Sequence, residues 1–170
     1  MYRSEFSVNG LSECIEISSQ RKIVTEALPV DREIVRSILK KDGRNFNWRD
    51  EYKNPDRHVF YLRTCTEDLR VQGLISATPM LDDKFIFLHL IEKAPHNMGP
   101  EREYENISDC LIAYMCKASF ELGLEGYVSF VAKNALINYY IRRFGAELVH
   151  PRQNKMFINS QNALKLVNLY

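Results

Sequence analysis

The sequence predicts an α+β domain with a mostly antiparallel, centrally parallel sheet. Two observations carry this expectation. Strand-like runs succeed one another between His58 and Glu92 with only short turns between them, which is how antiparallel hairpins are written. A strand, loop, helix, strand, helix unit then spans residues 84–146, the order that supplies a parallel element. No internal repeat, low-complexity tract or linker divides the 170 residues, so 1–170 reads as one domain of ordinary size with a sizeable core.

Taken in order, residues 14–19 alternate weakly, Gln20-Arg21-Lys22 turns, and 23–27 returns, giving a hairpin. Asp31 is placed to cap a helix over 32–40, with Ile34, Val35 and Ile38 on its apolar face and Lys40 and Lys41 at its cation-favouring end. Residues 43–55 are the least regular. They hold the only tryptophan, Trp48, with Phe46 and Tyr52 near helical spacing, which reads as a short helix or loop pinning its aromatics to the core. Residues 58–65 and 71–78 form a second hairpin through 66–70, in which Gly73 marks a bulge or a close backbone approach. After a turn at 79–83, KFIFLHLIE (84–92) is apolar enough to read as a strand covered on both faces. The polar segment KAPHNMGPEREYEN leads to a long apolar helix from Asn106 to Leu122, stopped by Gly123. GYVSFVA (126–132) is the next buried strand. Asn134 is placed to cap a helix carrying Ile137, Tyr140, Ile141 and Phe144 at helical spacing, ended by Gly145. Strands at 147–150 and 155–159 flank a turn at 151–154, and Ser160 is placed to cap a last helix with Ala163, Leu164 and Val167.

Composition excludes several classes. Hydrophobic residues make up 45% and charged residues 26%, an ordinary soluble balance, and the net charge of +1 gives no bulk electrostatic case for nucleic acid or an anionic membrane. No apolar run has the length of a membrane span, and MYRSEFSVNG lacks a signal peptide's apolar centre. Cys14, Cys65, Cys110 and Cys116 have no metal-ligand spacing. The last two share one helix, roughly 120° apart around its axis, and cannot readily bridge. A reduced, cytoplasmic protein is expected. No P-loop, dinucleotide turn, nucleophile elbow or metal-ligand cluster is present.

The order of the 84–146 unit and its closing run NALINYYIRRFGA resemble the acyl-CoA half of the GCN5-related N-acetyltransferases. Members typically end this half with an Asn-capped helix, a Tyr, and a Gly followed by a hydrophobic residue, matched here by Asn134, Tyr140 and Gly145-Ala146. Their most specific signature is a Gly-rich turn, Gln or Arg, two residues, Gly, any residue, then Gly or Ala. It falls near residues 102–108, where Asn106 and Ser108 stand in place of glycines. The resemblance implies that strands 84–92 and 126–132 run parallel and splay at their C-terminal ends. It implies an acetyl-CoA arm bonded along Leu90, Ile91 and Lys93, and a pyrophosphate on the helix start after Tyr104. It also gives the segment after the first helix a second reading, as a wall of the acceptor site in which Arg49, Asp50 and Glu51 surround aromatics suited to a cationic amine.

A helix start suits an anion whatever the family, because unpaired N–H groups and the positive dipole end point at it. Asn106, Ile107, Ser108 and Asp109 would present that start. Asn tolerates left-handed backbone, Ser108 offers a hydroxyl, and the Asp109 carboxylate, unfavourable beside a phosphate, could be offset by Arg102 and Lys93. The alternative is that Asn106 caps a helix that binds nothing. Transfer to an amine requires a base, since an alkylammonium loses its proton near pH ~10.4. Glu92 is the first candidate, His89 its rival on the opposite face by strand alternation, and water the third. His96, in the loop, faces solvent or a phosphate. Tyr140 is the candidate acid by resemblance, with Tyr139 next to it as the alternative. The implied function is an acyl-CoA-dependent N-acetyltransferase acting on a primary amine of a small molecule or protein, and a homodimer is compatible with it. Against it stand a catalytically degenerate domain of the same fold with a binding or regulatory role, and an interaction module without ligand.

Overall fold

The computed structural model describes residues 6–38 and 43–170. The chain opens with the expected hairpin, β1 (Ser12–Glu16) and β2 (Arg21–Pro29), followed by α1 (Arg32–Ser37). Asp31 caps α1 by accepting from the Ile34 N–H at 2.8 Å. Lys40 and Lys41, expected at the end of this helix, lie outside the described residues. The irregular segment folds as α2 (Trp48–Lys53), capped by Asn47. Then come β3 (His58–Thr64), β4 (Gly73–Met80) and β5 (Phe85–Lys93) as an antiparallel meander. Pro79 belongs to β4, opposite Ile86, so the turn begins later than its proline suggested. A short edge strand, β6 (Tyr104–Glu105), precedes α3 (Ile107–Glu121), and β7 (Val128–Val131) is followed by α4 (Ile137–Phe144). β8 (Glu147–His150), β9 (Lys155–Ile158) and α5 (Ser160–Leu169) complete the chain.

Among the described residues nine strands lie in one sheet, in the order β6-β1-β2-β3-β4-β5-β7-β9-β8. Every pairing is antiparallel except β5 with β7. The sheet separates two apolar layers, and β3 shows how. Phe60 and Leu62 enter the large core formed with α3 and α5, while Val59 and Tyr61 enter a smaller one formed with α1 and α2. α3 lies at the centre of the large core, with Cys110 through Cys116 all buried. Gly73 is the close approach the sequence suggested: a Cβ there would stand 2.8 Å from the Ile107 side chain at the start of α3.

Three expectations are corrected. β5 is covered on both faces only toward its C-terminal end, where Leu90 packs on the small core and Glu92 is buried beside Trp48; earlier in the strand Ile86 and Leu88 are buried on one face while Phe85, Phe87 and His89 stay half-buried on the other. Asn134 does not cap α4: the chain enters through a 3-10 turn, and the Asn134 side chain instead accepts from Asn154. The cap of α5 is Asn159, one residue before Ser160, accepting from the Asn162 N–H at 2.9 Å.

Candidate active site

β5 runs beside β7 for only three pairs, Ile86↔Val128, Phe87↔Ser129 and Leu88↔Phe130. Beyond Leu88 the two strands part. On the other side β5 stays bonded to β4 as far as Lys93, so the edge of residues 90–93 facing away from β4 has no strand partner among the described residues. An irregularity in the β4 ladder coincides with the parting. Ser76 pairs with Leu90 and Ala77 with Leu88, which leaves His89 as the extra residue of a β-bulge. A bulge bends its strand and increases its twist, and this one follows the last pair with β7.

The bulge also overturns the alternation argument for His89 and Glu92. Glu92 faces the α2 side, where its Oε1 accepts from Trp48 Nε1 at 2.9 Å and its Oε2 from the Asn45 N–H at 2.7 Å. His89 faces the same side, its Nε2 2.7 Å from the hydroxyl of Thr78. Glu92 is 4% exposed and Trp48 2%, so this carboxylate joins α2 and the segment before it to the sheet. Trp48 thereby follows the core reading of its segment.

The gap between the strands is a small cavity lined from β5 by residues 88–91, from β7 by Phe130 and Val131, and from the helices by Ile112 and Tyr140. Tyr140 closes it from α4, its ring 4.9 Å from that of Phe130. Its hydroxyl makes no hydrogen bond among the described residues. Burial, and then the neighbouring Tyr139, raise the Tyr140 pKa, so this hydroxyl keeps its proton at neutral pH.

A second cleft, about 360 Å³, adjoins the start of α3 and is lined by Lys93, Arg102, Tyr104, Asn106 through Asp109, Tyr139 and Arg143. Asn106 has left-handed backbone, φ 69°, and no side chain caps the first turn of α3. Asn106 therefore does not act as the simple cap, since its side-chain oxygen accepts from Arg143 Nη2 at 2.9 Å. Asp109 is buried, and Arg143 holds it from α4 through Nε at 2.8 Å and Nη2 at 3.1 Å. That pair answers the objection raised by an acid in the first turn, and neither Arg102 nor Lys93 supplies it. Arg102 is bound to Glu105 and to the Gly99 carbonyl. The Nη1 of Arg143 has no partner among the described residues. The sequence reading missed Arg143 because Arg142-Arg143 in a last turn serves the helix dipole equally well. Its spacing of four from Tyr139 was the available signal.

Two other candidates are tied down. Tyr104 donates its hydroxyl to Asp68 at 3.1 Å, and burial, with that carboxylate, pushes its pKa up to about 12. His96 is bound through Nε2 to Gln72 Oε1 at 2.8 Å, facing neither cleft. Asn134 lies at the corner between β7 and α4, outside both cavities. Among the described residues no group of three or more His, Cys, Asp or Glu could hold a metal, and no helix is long and apolar enough to cross a membrane.

No known protein-family profile matches the chain, and no curated protein matches its sequence. Solved structures do match. A spermidine N-acetyltransferase SpeG chimera from Vibrio cholerae and hSSAT superposes with a TM-score of 0.57 at 13% identity, over 82% of this chain and 98% of the other. The ribosomal-protein-S18-alanine N-acetyltransferase from Escherichia coli gives 0.54 at 10%, over 79% and 90%. A GNAT-family acetyltransferase from Staphylococcus aureus Mu50 gives 0.52 at 13%, over 80% and 99%. With these likenesses and the single splayed parallel pair in its sheet, the chain has the fold of the GCN5-related N-acetyltransferases.

Proposed function

We propose that residues 1–170 form one acyltransferase domain that moves an acetyl group from acetyl-CoA to a primary amine of a small molecule or protein, with residues 84–146 as its acyl-CoA unit. One observation carries this reading: the strand gap beside Tyr140 and the uncapped start of α3 are joined by one unpaired strand edge, residues 90–93. An amide-bearing arm could bond along that edge at Leu90, Ile91 and Lys93 and deliver its pyrophosphate to the N–H groups of Ile107, Ser108 and Asp109. The residues fit the group. Asn106 takes the left-handed conformation a glycine would otherwise supply, Arg143 neutralises Asp109, and Lys93 and Arg102 flank the cleft.

The coenzyme supplies an activated thioester; the protein's part is to hold, exclude water and manage protons. The apolar lining of the gap, Leu88, Ile112 and Phe130, keeps water from the reacting carbonyl. Tyr140 presents its hydroxyl proton where a thiolate would depart, from the α3–α4 side of the sheet. Asn134 stays a coenzyme candidate only through its position at the start of the turn into α4.

The test is a thermal melt with acetyl-CoA, CoA and desulfo-CoA. A ligand bound only by the folded state at a hundredfold its Kd adds about 2.7 kcal/mol. A shift with all three is expected, since the pyrophosphate contact is common to them. No shift with any at millimolar concentration overturns the acyltransferase reading. The Ser108 side chain, standing where the turn usually has a glycine, favours the second reading, a domain that binds coenzyme without turnover. Stabilisation without acetyl transfer to any amine would be its mark.

A further inference from the structure

Resting on the acyltransferase reading, we propose that His89 is the general base: its Nδ1 takes the proton of the acceptor amine on the face of the sheet opposite Tyr140.

Hydrogen-bond accounting carries the argument. The Thr78 hydroxyl has one proton, and the Asp56 carbonyl, 2.6 Å away, can only accept it. The Thr78 oxygen must then accept from its other neighbour, His89 Nε2 at 2.7 Å, so the proton of the neutral imidazole sits on Nε2. Nδ1 is left with its lone pair. It has no hydrogen-bond partner among the described residues and is not among their fully buried unpaired atoms, so solvent or a ligand reaches it. The ring is steadied by Phe87, whose centroid lies 4.9 Å away. The charged groups facing it are Arg57 and Glu51, paired with each other at 2.7 Å. Burial first, and then Arg57, depress the His89 pKa below its ordinary 6.5, so the free base prevails at neutral pH. Glu92 has both carboxylate oxygens engaged by Trp48 and Asn45, whereas His89 lines the gap with a lone pair to give.

The two sides of the sheet thereby take different protons. The ammonium gives its first proton to Nδ1 and then its lone pair to the carbonyl carbon, forming the C–N bond. As the C–S bond breaks, the electron pair leaves on sulfur, hydrogen-bonded by Tyr140. That sulfur takes the Tyr140 hydroxyl proton, the nitrogen's second proton replaces it on the tyrosine through solvent, and His89 passes the first to solvent. Amide, thiol and one proton are the products.

Two measurements test this. ¹⁵N spectra of the imidazoles near neutral pH, assigned with His89→Gln, should show Nε2 protonated and Nδ1 bare. Acetyl transfer should then be followed on spermidine, on a peptide with a free N-terminal alanine, and on hydroxylamine, an amine already neutral at the assay pH. Gln keeps a donor toward Thr78 and lacks the base. His89→Gln should lose about 10²-fold in kcat/KM on the ammonium acceptors, together with the acid limb of the pH profile, and much less on hydroxylamine. A proton on Nδ1, or a variant within about threefold of wild type on the ammonium acceptors, overturns the assignment while acetyl-CoA still shifts the melt. A melt that acetyl-CoA leaves unmoved removes the acyltransferase reading, and this one with it.

Discussion

Tyr139 and Tyr140 are neighbours in sequence and serve different cavities. Consecutive helical residues lie about 100° apart, so Tyr140 shares the stripe of Ile137 and Phe144 against the core, and Tyr139 shares that of Arg143 toward the start of α3. Tyr140→Phe keeps the ring packed on Phe130 and removes only the hydroxyl. Turnover should fall by about 10²-fold or more, with the melting temperature and the acetyl-CoA shift nearly unchanged. Tyr139→Phe should leave turnover within about threefold. Equal activity in both variants and wild type would make Tyr140 a core residue. This much the sequence made readable, because helical spacing sets a side chain's direction. The role of Glu92 was not readable, since its partners, Trp48 and Asn45, come from a segment more than forty positions earlier and its own burial follows from theirs.

At the scale of elements, α4 locks onto α3 through Arg143 and Asp109. Arg143→Met leaves a buried carboxylate without its partner, a cost of about 1–3 kcal/mol. It should also weaken acetyl-CoA binding by about tenfold, one charge-assisted contact. Adding Asp109→Asn to that variant should restore the melting temperature and, by taking a carboxylate away from the pyrophosphate, recover part of the affinity, which stays below wild type by the contact that Arg143 itself makes. If Arg143→Met binds acetyl-CoA as wild type does, the arginine is a strut between helices. The helices and strands themselves were legible from period and punctuation: Asp31 before α1, Gly145 after α4, and alternation in β3 all act within a few residues of the chain. What escaped was set across the sheet. The bulge in β5 has no glycine to announce it and exists only in register with β4. The cap of α5 was misplaced by one because Asn159 and Ser160 are both competent caps, and only the backbone at Asn159, ψ 170°, decides between them.

Across the molecule, the loop between β3 and β4 is held by charge. Arg70 donates to Asp68 and to Glu103, and holds both carboxyls below the ordinary carboxylate range. Their stabilisation is complete above that range and is lost as pH falls through it. His89 and His96, depressed chiefly by burial, act in the same direction somewhat higher: just below pH 6.5 the unfolded chain binds protons that the folded chain refuses. Urea midpoints should therefore decline steadily from pH 7 to pH 3, and Asp68→Asn should flatten the lower part of that decline. A midpoint independent of pH over the interval would contradict these depressed values.

The extra residue in β5 has a counterpart in what the sheet would become without it. Deleting His89 would restore one-to-one pairing with β4 while keeping Glu92 opposite Leu74. The straightened strand would no longer turn from β7, and the parallel ladder would continue past Leu88 into the space the gap occupies. We expect the shortened chain to fold, to melt no lower than the natural one, and to ignore acetyl-CoA. Catalytic competence here would then be a deliberate interruption of pairing, removable by excising a single codon, and a deletion variant still stabilised by acetyl-CoA would show that the gap is opened by something other than the bulge.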